Sequence, residues 1–308
     1  MNRILITGAA GMVGQALLAE LSGQQVFATD LARPDPLPEG MTYFKMDVTG
    51  DDPDRVIAKV RPDVVIHLAS IVSPGVAREV AHRVDVGGTR AVLDACLAHG
   101  VRRLVVTSSG AAYGYHADNP VPLRESDPLR GNPEFAYADH KRQVEEMLAE
   151  ARQGAPQLEQ VVLRVGTVLG AGTENQITAL FHKPRLLAVR GSESPFVFIW
   201  TRDLARILAR AAGEGPAGIY NVAGDGVMGV SDLARVLGKP VLRLPAQALK
   251  AALAVARPLG LSRYGPEQVR FLQYRPVLAN DALKQVFGYV PELTSDEVFD
   301  LWRREAGL

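Results

Sequence analysis

Ile4-Leu5-Ile6-Thr7-Gly8-Ala9-Ala10-Gly11-Met12-Val13-Gly14 runs from a short apolar stretch through a glycine turn into an amphipathic segment. The order is strand, tight turn, helix. Gly8 permits the turn, Gly11 lets the backbone approach a pyrophosphate, and Gly14 lets the helix pack on the strand. The free N–H groups and the dipole of the helix start then favour an anion. With 29 glycines in the chain, the spacing alone says little; the strand before it and the helix after it give it weight. Gly8, Ala10, Gly11, Met12 and Val13 are therefore the expected contacts of a dinucleotide.

Working outward, Gln25 to Thr29 continues as a second strand that Asp30 closes. A carboxylate there accepts both ribose hydroxyls and repels a 2′-phosphate, which favours NAD over NADP; a turn aspartate is the alternative, and Arg33 leaves some room for NADP. Asp47 and Val48, after a third strand over 42–46, stand where an adenine edge would come, or form an ordinary loop. Val64-Val65-Ile66 and Leu104-Val105-Val106 are the continuous branched runs of strands covered on both faces. Helical periodicity over 12–21, 85–98 and 137–152 separates them, and 161–163 is a sixth strand. This alternation predicts an α/β fold, a doubly wound parallel Rossmann sheet with a smaller α/β C-terminal substrate-binding region. The expected division is an NAD-binding domain over 1–168, with segments within 196–224 returning to it, and a substrate-binding region over 169–195 and 225–308.

Composition excludes other classes. The formal charge is zero, so neither nucleic acid nor an anionic membrane surface is an expected partner. The single cysteine, Cys96, makes no intrachain disulfide and no cysteine-based zinc site, and no metal is expected. Ile4-Leu5-Ile6 is too short for a signal peptide, and no window approaches the ~18 apolar residues of a membrane span. The expected address is the cytoplasm.

Tyr137-Ala138-Asp139-His140-Lys141 sets a tyrosine and a lysine four apart, on one face of a helix. A neighbouring ammonium and an oxidised nicotinamide both favour a phenolate, which makes proton abstraction from an alcohol feasible. One βα unit upstream, Thr107-Ser108-Ser109 ends a buried strand and offers a hydroxyl to the substrate oxygen.

These pieces resemble, in order, those of the extended short-chain dehydrogenases, the family of sugar-nucleotide epimerases and dehydratases. The resemblance covers roughly residues 1 to 225. It rests on TGAAGMVG, Asp30, Pro62-Asp63-Val64-Val65-Ile66-His67-Leu68-Ala69, Thr107-Ser108-Ser109 before Tyr113-Gly114, the Tyr137/Lys141 pair, Leu163-Arg164 and Asp203. It implies that Tyr137 is the catalytic base, that Lys141 holds the nicotinamide ribose and tunes Tyr137, and that Ser109, four before Tyr113, orients the substrate. It also implies cofactor contacts from Leu68 and Ala69, and substrate contacts from Ser70, Gly110 and Thr167. His67 matches a family position beside the cofactor, where packing is the plainer role and proton transfer the alternative. A homodimer is implied too, joined through the 85–98 and 137–152 helices as a four-helix bundle.

The departures narrow the chemistry. Gly110 and Ala111 stand where dehydratases of the family resemble an acid and a base, which argues against dehydration. Thr167 replaces an asparagine, and Phe196 stands near the position of an arginine, both on the side of a diphosphate. That weakens a nucleotide-sugar substrate. Asp85 replaces an asparagine in Asp85-Val86-Gly87-Gly88-Thr89. The expected activity is NAD-dependent oxidation of a secondary alcohol, or reduction of a ketone, in a small-molecule substrate. The alternatives are an NAD-dependent nucleotide-sugar epimerase, which uses the same residues, and a non-catalytic nucleotide sensor or scaffold.

Overall fold

Alternation along the first strand decides how the sheet is covered. In the computed structural model, which describes residues 2–72, 75–262 and 264–308, β1 (Arg3–Thr7) sends Ile4 and Ile6 into one apolar cluster and Leu5 into another. Both clusters are closed to water, so the strand's centre, Ile4 to Ile6, is apolar on both faces rather than alternating with polar residues. β2 (Gln25–Asp30), β3 (Thr42–Lys45), β4 (Val64–His67), β5 (Arg103–Ser109) and β6 (Glu159–Val165) follow. β7 (Thr167–Leu169), β8 (Leu186–Val189), β9 (Phe198–Trp200), β10 (Gly218–Val222) and β11 (Val241–Leu244) complete the strands. Seven of these form one parallel sheet in the order β10-β6-β5-β4-β1-β2-β3. The order reverses between β1 and β4, and ligands of such sheets bind beyond the carboxyl ends at that point.

Helices α1 (Met12–Glu20) and α7 (Thr201–Ala212) cover one face, burying Leu17, Leu18, Leu204, Ile207 and Leu208. The other face carries α2 (Asp52–Val60), α4 (Gly88–Ala98) and α5 (Ala136–Gly154), through Ile57, Val92, Cys96, Val144 and Leu148. Each such aliphatic side chain, fully buried, stabilises the fold by about 1.5–3 kcal/mol. Cys96 is fully buried, and burial pushes its thiol up, away from reactivity.

The expected helix over 85–98 is longer than its periodicity. It begins with α3 (Arg78–His82), passes through a π turn at Arg83–Gly87, and continues as α4. The start is polar and half exposed, so no apolar stripe marks it. π turns are characteristic interruptions at functional sites, and this one carries the buried Asp85.

Of the later strands, β10 extends the main sheet beside β6, whereas β9 pairs with β7 in a separate ladder. Phe198 of β9 belongs to a second core with Phe181, Phe196, Phe299 and Trp302. α6 (Thr178–Phe181), α8 (Val230–Leu237) and α12 (Ser295–Glu305) supply its other walls. α9 (Ala246–Ala256), α10 (Gln268–Gln273) and α11 (Asp281–Gln285) complete the C-terminal region. No described helix is long and apolar enough to cross a membrane.

Candidate active site

The turn after β1 is held open by what a side chain would strike. Gly8 has φ +72°, and a Cβ on it would lie 2.7 Å from the Ala69 nitrogen; a Cβ on Gly14 would lie 2.4 Å from the Gly8 oxygen. A Cβ on Gly11 would meet only the Gly8 oxygen, at 3.3 Å, and otherwise project into open space at the start of α1. That space, bordered by first-turn N–H groups, fits a pyrophosphate. Asp30 ends β2 alongside. Its Oδ2 accepts from the Ala10 N–H at 2.9 Å and its Oδ1 from the Leu31 N–H at 2.7 Å, fixing a carboxylate beside the turn. These residues fit the dinucleotide expected from the sequence. Asp47 is exposed, and its Oδ1 is engaged by the Thr49 backbone and hydroxyl. Val48 is buried against Gly88, so of this pair only Asp47 presents a polar group to solvent.

Beyond the carboxyl ends of β1, β4 and β5 lies a cavity of about 480 Å³. Met12, Val13, Leu68, Ser70, Ser109, Gly110, Tyr137, Lys141 and Thr167 all line it. Ten segments distant in sequence are not needed to make its chemical centre; β5 and α5 suffice. Tyr137 is in the first turn of α5, and Lys141 follows one turn later with Nζ 5.7 Å from the Tyr137 ring centroid. Lys141 also donates to the Thr107 oxygen at 3.0 Å, which ties its ammonium to the end of β5.

The two serines at that end have different partners. Ser108 is buried and donates to Glu145 Oε1 at 2.5 Å. Ser109 is half exposed on the cavity wall, and its Oγ accepts from the Ala111 N–H at 3.1 Å. That bond leaves the Ser109 hydroxyl proton free for a substrate oxygen. Glu145 lies on α5, and Arg164 of β6 grips it with two nitrogens at 2.8–3.0 Å. Arg164 also donates to the Tyr113 hydroxyl at 2.7 Å. The buried Ser108–Glu145–Arg164 clamp therefore fixes α5 against β5 and β6, which sets where Tyr137 and Lys141 stand.

His67 is buried at the end of β4, with Nδ1 2.8 Å from the Thr7 hydroxyl and Nε2 3.0 Å from the Thr89 hydroxyl. Burial, then the Lys141 charge, pushes its pKa down to about 3. It is a neutral strut between β1, β4 and α4. Asp85 is buried in the π turn; Oδ1 accepts from Ser70 Oγ and the Ile71 N–H, both at 2.8 Å, and Oδ2 lies 3.1 Å from His140 Nδ1. Burial alone would raise this carboxyl, but the His140 hydrogen bond, the Lys141 charge and the Ile71 and Ser70 bonds hold it below the usual range. Ser70, expected at the substrate, thus also steadies the buried Asp85 carboxyl. Asp203, fully buried, accepts from the Tyr289 hydroxyl at 2.6 Å and the Glu292 N–H, and staples α7 to the C-terminal segment.

The far wall of the cavity comes from segments that carry no local motif. Thr173, Glu174 and Ile177 follow β7, Pro195 and Phe196 precede β9, and Phe271, Arg275 and Leu278 lie in and after α10. Thr173 donates to Met12 Sδ at 3.2 Å, and its carbonyl accepts from the Trp302 indole at 3.2 Å. Arg275 and Tyr115 were not singled out in the sequence. Arg275-Pro276 sits in an aperiodic stretch, and only the fold brings it beside Phe196. Among the described residues, no group of three His, Cys, Asp or Glu side chains is gathered for a metal.

Comparison with known proteins identifies relatives of the chain and of its fold. The model of the NAD dependent epimerase/dehydratase family matches residues 4–223. An uncharacterized protein of Mycobacterium tuberculosis is 25% identical over 316 residues, 99% of this chain and 84% of that protein. The UDP-glucose 4-epimerase of Azospirillum brasilense is 33% identical over 178 residues, 55% of this chain and 50% of that one. The crystal structure of Thermus thermophilus UDP-glucose 4-epimerase in complex with NAD is similar in fold. Its TM-score is 0.75 at 24% identity, with 98% of each chain covered.

Proposed function

The chain belongs to the NAD dependent epimerase/dehydratase family, enzymes that work with NAD, and on that premise we propose that it oxidises a secondary alcohol, or reduces the matching ketone, through Ser109, Tyr137 and Lys141. The observation that carries this reading is their convergence on one cavity wall, with the neighbouring Ser108 occupied by Glu145. Ser109 donates to the substrate oxygen and holds it against the phenol. Tyr137 takes the hydroxyl proton as the carbon–hydrogen bond breaks. Lys141 steadies the charge that develops on the phenolic oxygen, and its remaining N–H groups are available to the nicotinamide ribose. NAD, when bound, supplies the hydride acceptor. The glycine turn, Asp30, Leu68 and Ala69 hold the dinucleotide, and Ser70, Gly110 and Thr167 face the substrate. Gly110 and Ala111 offer no proton to exchange, so elimination of water is not part of the reading.

A second reading, nucleotide-sugar epimerisation, draws support from the similarity to UDP-glucose 4-epimerases. It uses the same first step and returns the hydride to the other face of the ketone. The two part in one assay: NADH absorbance followed over secondary alcohols, sugar acids and nucleotide sugars, with Tyr137→Phe as control. Steady NADH formation that the substitution abolishes supports the dehydrogenase. Inversion of a nucleotide sugar without net NADH supports the epimerase. Absence of both, with NAD bound, sinks the proposal. The reading includes a homodimer joined through α4 and α5; a monomer mass in light scattering would remove that part.

A further inference from the structure

Arg275 is the charge in the cavity that the Ser109–Tyr137–Lys141 chemistry leaves unused. It lines the wall at 9% exposure, its guanidinium carbon 3.8 Å from the Phe196 ring centroid and 4.7 Å from that of Phe271. Nη1 donates to the Ser194 carbonyl at 2.5 Å and to its hydroxyl at 3.3 Å. Nε is buried with no partner, and among the described residues Nη2 makes no hydrogen bond and no carboxylate pairs with the group. Burial pulls its pKa down to about 9, with only the neighbouring Tyr115 opposing. A buried cation without a counter-charge is costly, and two aromatic faces offset only part of that cost. Nε is closed off by its surroundings, which leaves Nη2 as the guanidinium donor open to a carboxylate or phosphoryl oxygen.

We propose that Nη2 of Arg275 receives an oxyanion of the substrate, and that the substrate is a small hydroxy acid whose carboxylate docks there while its carbinol carbon lies at Ser109 and Tyr137. The proposal rests on the oxidoreductase reading for the second half of that statement. Tyr115 packs in one cluster with Tyr137 and lies edge-on to Phe271 at 5.5 Å, and Arg275 lies over that same Phe271 ring, so the two ends of the substrate are close. Apart from Lys141, Arg275 is the one cation among the described residues lining the cavity, and Glu174 adds a negative charge. Phe196 and Thr167, on the same wall, bring no second cation. One guanidinium with no second cation on its wall suits a single negative charge better than a diphosphate.

The test is calorimetric titration of the full chain with NAD saturating. The probes are hydroxy acids from glycerate to gluconate, the neutral amide of gluconate, inorganic phosphate and UDP-glucose. A hydroxy acid is expected to bind and the amide to fail. Arg275→Met should weaken the acid by about 10- to 100-fold, the loss of a charge-assisted hydrogen bond, and leave the NAD affinity unchanged. That unchanged affinity also certifies that the variant is folded. Arg275→Lys should restore part of the loss, since it keeps the charge without the planar guanidinium. Equal binding of acid and amide by the unsubstituted chain overturns the receptor with no variant needed. Phosphate or UDP-glucose binding through Arg275, with every acid failing, overturns the hydroxy acid. Acids that bind through Arg275 yet never yield NADH leave the receptor standing and sink the oxidoreductase reading instead.

Discussion

The cofactor cradle and the substrate wall border one another, but they are specified by different parts of the chain. The cradle is a matter of backbone: Gly8 and Gly14 are empty because main-chain atoms lie where their side chains would be. Asp30 contributes by accepting main-chain N–H groups. The substrate wall is a matter of side chains, with Arg275 lying over the rings of both Phe196 and Phe271, which come from two distant segments. A backbone cradle admits one ligand shape and little variation. A side-chain wall can be re-cut residue by residue, which is how one fold serves many substrates.

Four substitutions or conditions would break or sharpen this contrast. The largest effect is expected where both regions hang on one support. Glu145→Gln leaves the Arg164 guanidinium buried without its counter-charge, at a cost of about 3–5 kcal/mol in urea unfolding. NAD binding and turnover should decline together; a variant of normal stability would refute the clamp. Next, Ser109→Ala should lower turnover by about 10²- to 10³-fold at unchanged NAD affinity, whereas Ser108→Ala should instead lower the unfolding midpoint. Equal effects on turnover would erase the distinction between the serines.

The third concerns acid. His67 is held neutral to about pH 3, but the unfolded chain protonates it below its ordinary value of 6.5. The unfolded state therefore binds more protons in that window, and stability falls as pH falls, by about 1.4 kcal/mol per pH unit. The urea midpoint measured between pH 6.5 and 4.5 checks the slope, and His67→Gln should flatten it. The smallest effect belongs to the cradle's one side chain. Asp30→Asn should weaken NAD by about tenfold and narrow its advantage over NADP; fluorescence titration with both cofactors would show an unchanged ratio if Asp30 were only a turn residue.

The same contrast explains what could be read without coordinates. Glycines that must be glycines, and a tyrosine and lysine one helical turn apart, leave marks within a few residues of one another. So do Val64-Val65-Ile66 and Leu104-Val105-Val106, whose unbroken apolar character comes from burial on both faces. The π turn at Asp85 left no such mark, because its register shift depends on Ser70, Ile71 and His140. Nor did the pairing of β9 with β7 rather than with the main sheet, where Phe198 joins the aromatic core. Phe196 marked the absence of a cation at one position. Only the fold revealed Arg275 stacked upon it, more than seventy positions later in the chain.

Trp302 gives the site an optical handle. Its indole donates to the carbonyl of Thr173, whose hydroxyl reaches Met12 at the mouth of the glycine turn, so an indole in the last helix is two contacts from the start of α1. The chain holds only one other tryptophan, Trp200, at the end of β9. With Trp200→Phe as background, the emission of a single unlabelled chromophore would report how the segment over the cavity settles as it fills, in real time and without turnover.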